Sequence, residues 1–236
     1  MKILNLGAGS TRPINDIWTN LDNWEGGGHE INEPNFVRHD LRQPLPFPDD
    51  LFDGCLCSHV LEHMDCREAV KVMKEVLRVL KPGGVLLVSV PDASYFRKVY
   101  SEDRNENWPE LFEVSDPPNP IPNWFTAALW FDQHLQIFTE DSLWAHFVHA
   151  GFSNDSVQWV TATDTTNAAL AEMMPHLNRR KFSLEMWAQK PSQCPRLPSC
   201  GNLTLHSHEH PPLCHRRQAR TGHHSGKLCL VQSRDS

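Results

Sequence analysis

A glycine pair behind an apolar run is the first place in this chain where residue types could hold a ligand. Leu6-Gly7-Ala8-Gly9 closes the run at residues 2–6. Glycines there let the backbone turn sharply and let a ligand approach without a Cβ in the way, as nucleotide sites need. Asp22 ends a second apolar run, residues 18–21, where a carboxylate can accept both hydroxyls of a ribose. Asp40, after Phe36-Val37-Arg38-His39, ends a third and can accept from an adenine amino group. Taken singly, these are a tight turn and two solvated acids. Three such features at the ends of successive strands mark the sheet edge on which open α/β folds bind ligands.

The elements that must position these residues can be read from periodicity. Residues 2–6, 18–21 and 52–58 read as buried strands. Between Asp65 and Leu80, apolar residues fall at Val70, Met73, Val76, Leu77 and Leu80, the spacing of a helical face, with Asp65 and Glu68 placed as a capping box. Lys81-Pro82-Gly83-Gly84 ends that helix, and residues 85–90 form another apolar run, so residues 52–90 read as the strand–helix–strand unit of a parallel sheet. Further on, residues 140–150 read as a helix with Leu143, Trp144, Phe147 and Val148 on one face and Gly151 at its end. Residues 156–161 and 182–188 read as strands flanking a helix-like stretch at 167–177. The expected fold is α/β and Rossmann-like: a doubly wound, mostly parallel seven-stranded sheet with an antiparallel final strand. Its first helix should be vestigial, because residues 10–17 contain Pro13 and leave little room for a full crossover.

Composition narrows the functions such a sheet can serve. With 236 residues, 39% of them hydrophobic, the chain can bury a real core, which excludes a disulfide-stapled miniprotein. The net charge of −7 disfavours a general nucleic-acid binder. No apolar run is long enough to span a bilayer, and a cytoplasmic protein is expected. Charge is unevenly distributed. Residues 1–189 hold 15 Lys/Arg against 27 Asp/Glu, whereas residues 190–236 hold seven against two. That basic tail also contains four of the seven cysteines and six of the 14 histidines, without hydrophobic periodicity. It lacks the C-x-x-C pairs that zinc modules use, so we expect no metal and a disordered extension at 191–236 following a domain at 1–190. Cys55, Cys57 and Cys66 are expected to be reduced packing residues of the body.

Six segments occur in order: Asn5-Leu6-Gly7-Ala8-Gly9; Asn20-Leu21-Asp22; Asp40-Leu41; Pro46-Phe47-Pro48-Asp49-Asp50-Leu51-Phe52-Asp53; Ser58-His59-Val60-Leu61-Glu62-His63; and Leu77-Arg78-Val79-Leu80-Lys81-Pro82-Gly83-Gly84. Together they resemble the class I S-adenosylmethionine-dependent methyltransferases, close to the type 11 group of bacterial and phage enzymes. The resemblance implies S-adenosyl-L-methionine as cofactor. Gly7 and Gly9, within Leu6-Gly7-Ala8-Gly9, would line its methionine part with Asn5 beside them. Asp22 would hold the ribose, Asp40 and Leu41 would border the adenine, Ser58 with His59 would sit below the sulfonium, and His63 would be among the cofactor-binding residues. Two positions depart from the family pattern: Asn5 stands where many members carry an acid, and Thr11 where many have a third glycine. The missing third glycine also argues against a nicotinamide dehydrogenase, and no P-loop is present.

Methyl transfer needs a base only when the nucleophile carries a proton it will not shed. His59, just past a strand end, and His134, ahead of a helix, are the catalytic candidates. His63 either joins them or caps a helix. Residues 91–131 replace a short connection with an aromatic-rich excursion that reads as a lid or as a small satellite core. The expected activity is methyl transfer to a small-molecule acceptor. The alternative is a non-catalytic S-adenosylmethionine-binding or scaffold protein.

Overall fold

Alternating burial along the strands builds two layers of core around one sheet. In the computed structural model, which describes residues 1–9, 12–23, 33–102, 134–161, 167–177 and 182–192, the strands are β1 (Ile3–Leu6), β2 (Trp18–Asp22), β3 (Phe36–Arg38), β4 (Phe52–Ser58), β5 (Leu80–Pro91), β6 (Val157–Trp159) and β7 (Ser183–Gln189). Leu4, Leu6, Cys55, Cys57, Leu86 and Val88 face one side. Ile3, Leu56, Val85 and Leu87 face the other. Because side chains alternate along a strand, two buried faces make near-continuous apolar sequence, which is why these runs look unpatterned.

The order across the sheet is β3-β2-β1-β4-β5-β7-β6. Strands β1 to β5 are mutually parallel. Strand β7 runs antiparallel to both β5 and β6. The chain order reverses between β1 and β4, so the ends of β1, β2 and β4 surround one crevice. Among the described residues the crossover from β1 to β2 contains no helix, and β3 and β6 are three residues long.

Helices α1 (Cys66–Val79) and α3 (Glu140–Ala150) pack together on the first face, while α4 (Ala168–Met173) covers the second. The Asp65–Glu68 capping box forms as expected, Asp65 accepting from the Arg67 and Glu68 N–H groups. The buried stripe of α1 is Ala69, Val72, Met73, Val76 and Val79, so Val70 and Leu77 sit at its margin rather than in it. In α3 the buried residues are Leu143, Phe147 and Ala150, and Trp144, about 100° around from Leu143, is 38% exposed. Gly151 ends the helix at φ +106°, a conformation that favours glycine. Strand β5 is longer than its apolar run, because Leu80 already pairs with Phe52 ahead of a register shift and Lys81-Pro82-Gly83-Gly84 stays in the strand.

Cys55 and Cys57 share the first core as expected, whereas Cys66 is exposed at the start of α1. All three are free thiols. Helix α2 (Ala93–Glu102) opens the expected lid segment; residues 103–133 and the tail from 193 lie outside the described residues. Met1–Pro195 form one compact unit. No helix among the described residues is long and apolar enough to cross a membrane.

Candidate active site

The tight turn after β1 is held from two sides. Gly7 and Gly9 adopt φ +60° and +58°. Gly9 donates its N–H to Asp22 Oδ2 at 2.7 Å, so the acid at the end of β2 fixes the loop at the end of β1. The Arg12 guanidinium donates to the Gly9 carbonyl and is itself paired with Glu33 at 2.6 Å. A Cβ added to Gly7 would collide with the Val60 side chain, whereas one added to Gly9 would meet nothing within 4 Å. Gly9 therefore turns its bare side toward open space.

That space is a cleft of about 590 Å³ lined by Gly7, Gly9, Asp22, Asn23, Asp40, Leu41, Arg42, His59, Val60, His63 and Met64. Seven of the expected site residues meet on its walls: Gly7, Gly9, Asp22, Asp40, Leu41, His59 and His63. Leu6 and Ala8 are buried behind the turn, and Ser58 stands back from the wall. Asn5 is buried beside the turn and is not among the residues on the cleft wall. Its amide donates to Asn20 Oδ1 at 3.0 Å inside the sheet, and Asn20 in turn donates to the Pro13 carbonyl at 2.7 Å, so Asn5 braces β1 against β2. Asp40 accepts from the Arg42 N–H at 3.0 Å, an Asx turn that stiffens the rim.

The opposite wall starts where β4 ends. His59 has φ +56°, an uncommon value for a residue with a Cβ, while its N–H still reaches Ser89 O at 2.8 Å. This left-handed step carries the imidazole between two partners: Nδ1 lies 3.1 Å from Glu62 Oε1 and Nε2 3.0 Å from Ser183 Oγ. A carboxylate accepts and a hydroxyl can donate, so the natural assignment puts the proton on Nδ1 and lets Nε2 accept from Ser183. Both nitrogens of the expected base are thus engaged within the protein.

His63 ends a short 3-10 turn, Leu61–His63, rather than opening α1. Its ring meets the buried His134 ring edge-on, 5.1 Å between centroids. The segment after His134 is tied down by Leu135 N–H, which donates to Glu62 O at 2.8 Å, and by Gln136 Nε2, which donates to Leu61 O at 2.9 Å. Glu62, Arg12 and Val60 were not singled out as site residues from sequence. A histidine three residues before Glu62 and another just after it were the available signal. Beneath this wall, burial, and then the charge of Glu62, push the Cys57 thiol far above its ordinary range, so it is no nucleophile.

Residues 15–88, from just ahead of β2 through most of β5, match the family described as "Methyltransferase domain". Over that stretch the chain is similar to a methyltransferase domain, in line with the class I, type 11 resemblance of its motifs. Methyltransferase domains of this kind take S-adenosylmethionine as cofactor. The geometry fits that group, because Gly9 leaves room at the turn and Asp22 ends β2 on the same cleft. The chain is 28% identical over 172 residues to a demethylmenaquinone methyltransferase of Paenarthrobacter aurescens, a match covering 66% of this chain and 67% of that one. It is 38% identical over 73 residues to a ubiquinone/menaquinone biosynthesis C-methyltransferase of Shewanella woodyi, covering 30% of this chain and 28% of that one. The chain thus spans about two thirds of the first relative and under a third of the second. Similar solved structures include S-adenosylmethionine-dependent methyltransferases from Methanosarcina mazei (TM-score 0.48, 21% identity, 81% of this chain and 93% of that one) and Mesorhizobium loti (TM-score 0.46, 19% identity, 80% and 90%).

Proposed function

We propose that this chain transfers the methyl group of S-adenosylmethionine to a small-molecule acceptor by in-line displacement. The observation that carries this reading is the shared cleft, with the glycine turn, Asp22 and Asp40 on one wall and the two histidines on the other. The cofactor supplies a methyl group already activated on a positively charged sulfur, so the protein's work is to hold, align and exclude water. In this reading Asp22 receives the ribose hydroxyls, Asp40 and Leu41 border the adenine, and Gly7 and Gly9 admit the methionine part. His59 acts as a positioning residue, because its ring is clamped between Glu62 and Ser183. His63 faces the acceptor side, backed by His134.

The relatives' names carry the acceptor class one step further, toward a quinone-type aromatic ring. Titration calorimetry with S-adenosylmethionine, followed by mass spectrometry of reduced demethylated naphthoquinones incubated with the protein, tests both steps. We expect saturable binding and a mass gain of one methyl group. No cofactor binding overturns the whole reading. Binding without transfer to the quinols or to any small acceptor overturns catalysis and favours a scaffold.

A further inference from the structure

We propose that Glu62, His63 and His134 bind one divalent transition-metal ion of the zinc class beside the cofactor cleft. Each of these residues offers one ligand atom, and the three atoms lie within 4.8 Å of one another. Tetrahedral zinc with bonds of about 2.0 to 2.1 Å has ligand–ligand edges of about 3.4 Å. Side-chain rotation can close the difference. Two ligands come from the Leu61–His63 turn and the third from a segment distant in sequence, and the backbone bond from Leu135 to Glu62 fixes the pair in register.

A second, independent observation points to a cation. Glu62 is completely buried, and while Oε1 is bonded to His59, Oε2 has no hydrogen-bond partner among the described residues. A buried carboxylate oxygen without a donor is costly to hold, and a cation satisfies it. The Ser183–His59–Glu62 chain has the form of the outer support that orients ligating carboxylates, which gives the clamped imidazole a purpose. Two imidazole nitrogens and one carboxylate oxygen suit zinc, whereas magnesium prefers an all-oxygen octahedron. Three protein ligands leave a fourth position open. His63 lies on the cleft wall, so that position is available to water or to an oxygen atom of the acceptor. The metal site stands on this geometry and does not rest on the identity of the acceptor.

The full chain also carries cysteines and histidines in its C-terminal tail, so the test must separate the two sources of binding. Chelator-treated protein is titrated with cobalt(II) and with zinc, and compared with Glu62→Gln, His63→Ala and His134→Ala variants whose circular dichroism matches the wild type. Should the alanine change at His134 unfold the protein, His134→Asn takes its place. We expect one equivalent of cobalt with the comparatively strong visible d–d bands of a four-coordinate ion and no thiolate charge-transfer absorption, lost in each variant. Zinc should raise the melting temperature of the wild type more than that of the variants, and magnesium should not. His59→Ala should weaken zinc binding roughly 10- to 100-fold while keeping the stoichiometry. Unchanged cobalt stoichiometry and spectrum across the three ligand variants overturns the site, as does bound metal that is entirely thiolate-coordinated or no binding at all. S-adenosylmethionine titration of the chelator-treated wild type is read separately, so failure of the metal site and failure of the methyl-transfer reading are distinguishable.

Discussion

A methyl group added at Gly7 and one added at Gly9 should behave differently, although both glycines share one left-handed turn. At Gly7 it meets Val60, so Gly7→Ala should destabilise the fold by about 1 to 3 kcal/mol, and pairing it with Val60→Ala should recover part of that loss. At Gly9 the space is open, so Gly9→Ala pays for its backbone conformation alone and loses cofactor affinity where the ligand must pass. Urea denaturation and calorimetry separate the two outcomes; equal stability losses would refute the assignment of the cleft-facing side. Asp22→Ala should weaken S-adenosylmethionine binding by roughly 1 to 3 kcal/mol, about 5- to 150-fold. Because Asp22 also holds the Gly9 N–H, part of that loss is loss of the turn itself.

At the scale of elements, Arg78 joins α1 to the loop ahead of β4. It donates to Phe47 O, Leu45 O, Asp49 and Glu75, a fan of contacts that a lysine's single ammonium cannot reproduce. Arg78→Lys should therefore cost roughly 1 to 2 kcal/mol of unfolding free energy and leave cofactor affinity nearly intact. A variant as stable as the wild type would show the loop to be held by other contacts. Elements of this kind were legible where periodicity and capping agree: Asp65, Glu68 and the apolar spacing between them and Leu80 announce α1. The exact face was not, since Val70 and Leu77 are as apolar as Val72, and only packing against the rest of the protein decides which of them is buried. The glycine turn and Asp22 were readable because their chemistry is local. Glu62 was not: a lone glutamate in a short turn looks solvated, and it is buried only because His59 turns back on it and the segment after His134 closes over it.

Over the whole molecule, carboxylates set the response to acid. The Arg78 hydrogen bonds hold Glu75 below its ordinary 4.5 despite burial, and the Leu45 N–H adds to the effect. Burial pushes Asp53 up, but the Lys81 and Lys2 hydrogen bonds outweigh it and bring the carboxyl below its ordinary 3.8. Such groups bind protons more readily in the unfolded chain. Their stabilisation is complete well above those ordinary values and is lost as pH falls through the lower folded ones. Denaturant midpoints should therefore hold on this account down to about pH 5 and fall below it; midpoints that stay level to pH 3 would contradict the role of these pairs. Thiol labelling of the native protein followed by peptide mapping should modify Cys66 and spare Cys55 and Cys57, whose burial also pushes their thiols up. Finally, the three-residue β3 and β6 bound the sheet on its two sides. Rims this short offer an incoming strand few backbone groups to template against, which guards the protein against stacking into fibrils. An insertion that lengthens β6, at the edge of the sheet opposite β3 and Asp40, would remove that safeguard while leaving the cleft walls in place.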